Sequence, residues 1–214
     1  MVVLVDNGHG FNTSGKFSPR LDSSITIPNE FIVDGRFKEW KYNRVISNML
    51  VDKLKSMGYD ARLVVTEDKD ISLSERVKRI NAICNKLGAS NVILISVHAN
   101  AVGDGTKWMT GQGWEAYTTK GKTNSDFLAE YLYKRAEQHF KGRKIRKDTT
   151  DGDSDKEADF YIIRNAKCPA VLTENFFYDN KNDLAYMTSD EGVHAVVRTH
   201  IEGIIDYIQS KQKK

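Results

Sequence analysis

Six short apolar, β-branched runs punctuate the chain, separated by longer stretches with helical spacing. They predict strands over Val2–Asp6, Ala61–Val65, Val92–Val97, Trp114–Thr118, Phe160–Ile163 and Ala170–Thr173. The run VILISV at 92–97 is apolar on both faces apart from Ser96, the pattern of a central strand covered by helices on both sides.

Between the strands, apolar residues recur every three or four positions. In the stretch from Ser72 to Gly88, Leu73, Val77, Ile80, Cys84 and Leu87 form one stripe. Ser72 with Glu75 makes a capping-box pattern, and Gly88 is a stop. Glu39 to Met57 predicts a second helix, with Tyr42, Ile46, Leu50, Leu54 and Met57 inward and Gly58 ending it. A third helix is predicted near Ser125–Phe140. The last covers Ser189–Gln209, with Val193, Val197, Ile201, Ile204 and Ile208 on one face and Thr188 with Glu191 as its cap.

This alternation predicts a single α/β domain with a largely parallel sheet covered by helices on both faces. The core is expected over about residues 2–208. Two stretches stand outside the alternation. Phe11–Phe37 is long for a strand-to-helix loop, and SITIPNEFIVDGRF within it suggests an extra hairpin. Lys141–Asp159 is first basic (KGRKIRK) and then acidic (DGDSDKEAD), as a solvated connection would be.

Composition narrows the class only a little. The chain has 214 residues, 40% hydrophobic and 29% charged, with a formal net charge of +3. That mild positive excess suits anionic surroundings without choosing among them. KGRKIRK lacks interleaved aromatics, so nucleic acid is not expected as a partner. No apolar run approaches the roughly 20 residues of a membrane helix. Cys84 and Cys168 have neither metal-site nor disulfide spacing and are expected to be buried small apolar residues. No export signal precedes the first strand, so synthesis in the cytoplasm is expected.

In open α/β sheets, ligands bind beyond the carboxyl ends of the strands. Three predicted strands run there into reactive side chains: His9 in DNGHG, His98 in SVHAN and Glu174 in LTEN. Gly8 and Gly10 are expected to let the backbone turn tightly on both sides of His9. Two imidazoles and a carboxylate suit zinc, and a further glutamate can move protons between water and a leaving nitrogen. Glu39, in the first turn of its helix, and Glu30, in the suspected hairpin, compete for the carboxylate ligand; a helical position holds a carboxylate better, a modest preference. Glu39 there could instead simply complement the helix dipole. His139, His194 and His200 lack ligand spacing and are read as non-functional.

The blocks VDNGHG, EWKYN, SVHAN, GWEAYTT and PAVLTENFFYDNKND resemble, in that order, motifs of the zinc-dependent N-acetylmuramoyl-L-alanine amidases of the type 3 family. The resemblance covers Val2 to about Tyr207 and implies a twisted mixed sheet of about six strands flanked by helices. It implies His9, Glu39 and His98 as zinc ligands and Glu174 as catalytic acid/base, and settles Glu39 over Glu30 because Asn43 follows four residues on. Asn43, Asn100 and Glu115 are expected to support the site or line the substrate groove. The implied substrate is peptidoglycan, cut between N-acetylmuramic acid and L-alanine, without membrane insertion and with a monomeric enzyme acting at the cell wall, as an endolysin does. The 11–37 and 141–159 segments look longer than in the family, and Asn175-Phe176-Phe177 follows the glutamate where a small residue is common. Both departures are expected to reshape the groove. A wall-binding module is not expected. The rival readings are a zinc peptidase acting on stem peptides and an inactive wall-binding domain of the same fold.

Overall fold

The computed structural model describes residues 1–212. Its main sheet has the strands β1 (Val2–Asn7), β4 (Asp60–Leu63), β5 (Val92–Asn100), β6 (Trp114–Thr118), β7 (Lys156–Glu157) and β8 (Ala170–Phe177). They lie in the order β4-β1-β5-β8-β6-β7. The first four of these neighbours are parallel, β6 runs antiparallel to β8, and β7 is parallel to β6. The sheet is thus mostly parallel, as the pattern predicts, and mixed, as the resemblance implies, with β5 near its centre. β2 (Ile32–Val33) and β3 (Arg36–Phe37) form the extra hairpin, turned at Asp34 and Gly35, both with positive φ.

Alternation along the strands divides the core into two layers. Val3, Val5, Ile93, Ile95, Val97 and Val171 pack under α1 (Glu39–Ser56), α3 (Asn124–His139) and α6 (Asp190–Gln212). On the opposite face Val2, Leu4, Leu94 and Leu172 meet α2 (Leu73–Leu87) and α4 (Tyr161–Asn165). Cys84 and Cys168 are both free and buried in that second layer.

Several expectations need correction. Phe160–Ile163 is not a strand: Phe160 caps α4, and Ile162 and Ile163 turn into the second layer. A short apolar run fits either element by pattern, and here contact with α2 decides. The sixth strand is instead β7, two polar residues recruited by pairing with β6. A short helix, α5 (Lys181–Met187), precedes α6 and was not anticipated. Thr188 ends α5 by donating to the Leu184 carbonyl at 2.6 Å, and Ser189 caps α6 by accepting from Gly192 N at 3.1 Å. Met57 and Leu73 are about half exposed, because each lies at the fraying end of its helix. Ser72 caps α2 from Glu75 N, while the Glu75 carboxylate turns to Lys78 and Arg79 rather than closing a box.

One buried cation ties β1 to the loop beyond it. Arg76, from α2, is 2% exposed and spends every N–H it has. Nε donates to Ile71 O, Nη1 to Asp6 Oδ1 at 2.6 Å and to Asn7 O, and Nη2 to His9 O and Asp70 Oδ1. Ser96 Oγ completes the shell of Asp6 from β5. Removing the guanidinium strands the buried Asp6 charge, and that imbalance is costlier than the pair itself is stabilising. Arg76→Met is expected to lower unfolding free energy by about 3–5 kcal/mol in denaturant titration; a loss below about 1 kcal/mol would show that the pair does not bear this load.

Candidate active site

The carboxyl ends of β1, β5 and β8 meet the N-terminus of α1, and four chemically active side chains converge there. His9 follows β1. Its own φ is 67°, so the left-handed turn falls on the histidine and not on its neighbours, contrary to the sequence expectation. The glycines serve close approach instead. A Cβ on Gly8 would lie 2.1 Å from His98 Cε1, and one on Gly10 would lie 2.0 Å from Asp70 N. The strained turn is clamped through the His9 carbonyl, which accepts from Arg44 Nη1 at 3.0 Å and Arg76 Nη2 at 3.3 Å.

Glu39 opens α1 and is 1% exposed. Its Oε1 faces His9 Nε2 at 3.4 Å and His98 Nδ1 at 3.1 Å, and accepts from Ala99 N at 3.2 Å and Asn43 Nδ2 at 3.4 Å. Burial alone would raise this carboxyl, but the charge and hydrogen bond of His9, and then those of His98, outweigh it and hold the carboxyl below its ordinary value. His9 is lowered as well, which for an imidazole favours the neutral form. Burial lowers its pKa, more than Glu39 restores it, which favours the neutral ring a metal requires. The two rings stand edge to face with centroids 4.9 Å apart. One ligand atom from each of His9, Glu39 and His98 lies within 4.8 Å of the others, a possible metal site. Glu30 is exposed in the short 3-10 turn before the hairpin and takes no part.

Glu174 sits within β8 rather than at its end, in register with His98 on β5. Its Oε2 is shielded from solvent without a hydrogen-bond partner. Burial pushes the carboxyl well above its usual range, and the Glu39 charge adds to the rise. Lys16 opposes it. That lysine, in the 11–37 loop, also bears on His9, and its backbone carbonyl accepts from Glu39 N at 3.2 Å. Nothing in the sequence pattern marks Lys16, because only the folded loop brings it near.

The three supporting residues divide by position. Asn43 joins Glu39 Oε1 to the Gly8 carbonyl. Glu115, on β6, is the cross-strand partner of Glu174 and is nearly fully buried. Its Oε1 accepts from Asn100 Nδ2 and Tyr117 Oη, and its Oε2 meets Arg146 Nε at 2.7 Å and Lys156 Nζ at 2.8 Å. Asn175 does not floor a groove. It is buried, donates to the His98 carbonyl at 2.9 Å and accepts from Trp114 Nε1 at 2.9 Å, so it braces the neighbouring strand. His200 is a core histidine whose Nδ1 faces Val196 O and whose Nε2 faces Thr173 Oγ1, with burial holding its pKa down to about 4. His139 and His194 pair with Glu202 and the Asp190 carbonyl, away from the cluster.

The N-acetylmuramoyl-L-alanine amidase family matches residues 3–206. An endolysin of Bacillus phage SPP1 is 32% identical over 176 residues, which is 77% of this chain and 57% of the endolysin. The N-acetylmuramoyl-L-alanine amidase CwlM of Bacillus licheniformis is 26% identical over 208 residues, 94% of this chain and 66% of that protein. This chain therefore spans less than two thirds of either curated relative. The crystal structure of an N-acetylmuramoyl-L-alanine amidase from Clostridium difficile 630 shares the fold with a TM-score of 0.75 at 24% identity, covering 98% of this chain and 97% of that one. With the family match running from the first strand into the last helix, the chain belongs to the N-acetylmuramoyl-L-alanine amidase family.

Proposed function

We propose that this chain hydrolyses the amide bond between the lactyl group of N-acetylmuramic acid and the first L-alanine of the peptidoglycan stem peptide. In this reading His9, Glu39 and His98 hold zinc and Glu174 is the acid and base. One observation carries it: a carboxyl with a shielded, partnerless oxygen stands in register with one member of a two-imidazole, one-carboxylate set. The donor set fits zinc in chemistry, since burial favours the neutral His9 ring, and Glu39 Oε2 is a second buried oxygen lacking a partner.

Zinc, when bound, supplies a Lewis acid and lowers the pKa of water towards neutrality. The chain's own residues do the rest. Arg44 and Arg76 fix the His9 backbone, and Asn43 and the Ala99 N–H orient the Glu39 carboxylate, so the ligands are set before substrate arrives. Glu174 takes a proton from the attacking water as the new C–O bond forms, and delivers it to the alanine nitrogen as the C–N bond breaks. A carboxyl raised by burial and by a neighbouring anion suits both halves of that exchange near neutral pH. The products are a lactyl carboxylate and a free L-alanine amino group, and the place of action is the bacterial cell wall.

Mass spectrometry of digested peptidoglycan is expected to show new free L-alanine amino termini; released D-alanine without them would contradict the reading. Glu174→Gln is expected to retain zinc while turnover falls by about 10²–10⁴-fold, and His98→Ala to lose both. Near-normal turnover of Glu174→Gln would remove Glu174 from its role. Gly8→Ala, which drives a methyl into the His98 ring, is expected to weaken zinc binding by about 10–100-fold in competition with a chromogenic chelator, with the circular dichroism spectrum preserved. Unchanged zinc affinity in that variant would mean that His98 is not a ligand.

A further inference from the structure

The acidic half of the 141–159 connection has no part in the proposed reaction. It contains Asp151-Gly152-Asp153-Ser154-Asp155. Acids at alternating first, third and fifth positions open the calcium loop of the helix–loop–helix type. Lys156 replaces the glycine of the sixth position and Ile162 the glutamate of the twelfth, so the pattern alone carries nothing.

Burial supplies an independent observation. Asp155 is 2% exposed; its Oδ2 accepts from Thr118 Oγ1 at 2.6 Å, while its Oδ1 is shielded and has no donor. Asp153 Oδ1 is likewise shielded and without a donor, and the Asp153 charge raises the Asp155 carboxyl. The charges that bear most on this pair are all negative. Asp126 acts on both, and Asp151 and Glu130 act on Asp153. Among the described residues, neither Asp153 nor Asp155 is in an ion pair; the neighbouring Lys156 turns to Glu115 instead. Asp153 borders an open groove of about 760 Å³ that Asp126, Glu130, Thr149 and Gly152 also line. Two shielded, donorless carboxylate oxygens two residues apart leave a buried negative charge that something positive must answer.

We propose that this cluster is a calcium site, separate from the His9–Glu39–His98 set. The donors are all oxygen, which selects a hard cation over zinc. No third carboxylate closes to within 4.8 Å of the pair among the described residues, so backbone carbonyls and water must complete the shell. Calcium accepts such a mixed, irregular set of 6–8 oxygens, whereas magnesium demands near-ideal octahedral geometry. The site also has a place in the fold. Asp155 anchors to Thr118 at the end of β6, and the next residue, Lys156, reaches Glu115, the cross-strand partner of Glu174. A cation there would pin the connection that delivers Lys156 to that position.

The test is calorimetric titration of the 214-residue, zinc-loaded chain with calcium chloride and, separately, magnesium chloride, with melting temperature followed in parallel. The expected result is one calcium per chain with a Kd of about 10⁻⁴–10⁻³ M, a raised melting temperature and a much weaker magnesium response. Asp153→Asn, on the half-buried side of the pair, and Asp155→Asn are each expected to abolish the calcium response; Asp159→Asn, outside the cluster, should keep it. Absence of heat and of any melting shift at about 10 mM calcium would overturn the site. So would calcium binding that survives both substitutions. A stabilising Asp155→Asn in a chain that ignores calcium would also overturn it, showing that the pair shares a proton instead. None of these outcomes depends on amidase activity.

Discussion

A single carboxylate oxygen, Oε1 of Glu39, gathers partners from three elements: the rings of His9 beyond β1 and His98 on β5, the Ala99 N–H on β5, and Asn43 one turn further along α1. A buried charge of this kind is tolerable only when its surroundings are built to answer it. That requirement dictates much of the local structure. β1 and β5 must be parallel neighbours in one register for their ends to arrive together, and α1 must begin at Glu39 and not a residue earlier or later. Gly8 must lack a side chain for the His98 ring to lie against it. An acid in the first turn of a helix is ordinarily a modest electrostatic convenience; here the same position becomes the centre of the site.

Around this centre, charges are arranged in layers of alternating sign. Beneath the β1 end, Arg76 neutralises Asp6 and Asp70 and grips the His9 carbonyl, so a core ion pair and the site share one guanidinium. On the β6 side, Glu115 stands beside Glu174 but is itself answered by Arg146 and Lys156. The Glu174 carboxyl thus lies beside two anions, each already committed to other partners, and Lys16 tempers its rise. The two long connections contribute to this arrangement: Lys16 comes from the first, and Arg146 and Lys156 come from the second. Their lengths, which looked like departures from the family, place cations around the candidate site.

Much of this was legible in the sequence, for physical reasons that differ by residue. β1 and β5 declared themselves because buried strands must be apolar on both faces, and α1, α2 and α6 because their stripes are long enough to establish a period. β7, α4 and α5 were not legible, since elements of two to seven residues are chosen by tertiary contacts, not by pattern. Among the site residues, His9, His98 and Glu174 stood out as reactive groups where apolar strands break off, and Glu39 was preferred to Glu30 only modestly by its helical position until the resemblance settled it. Arg44, Arg76 and Lys16 left no mark. Their partners are backbone carbonyls or charges reached across tens of residues, and an arginine in an amphipathic helix looks the same whether it meets water or a buried aspartate.

X-ray absorption spectroscopy at the zinc edge, on the chain reconstituted with one equivalent of zinc, tests the account at its centre. The expected spectrum has two imidazole nitrogens and carboxylate oxygen at about 2.0–2.2 Å, and loses one imidazole in His98→Ala and the carboxylate contribution in Glu39→Ala. A spectrum unchanged by Glu39→Ala, or one with sulfur or water alone around the metal, would contradict the claim that the buried Glu39 carboxylate exists to hold it.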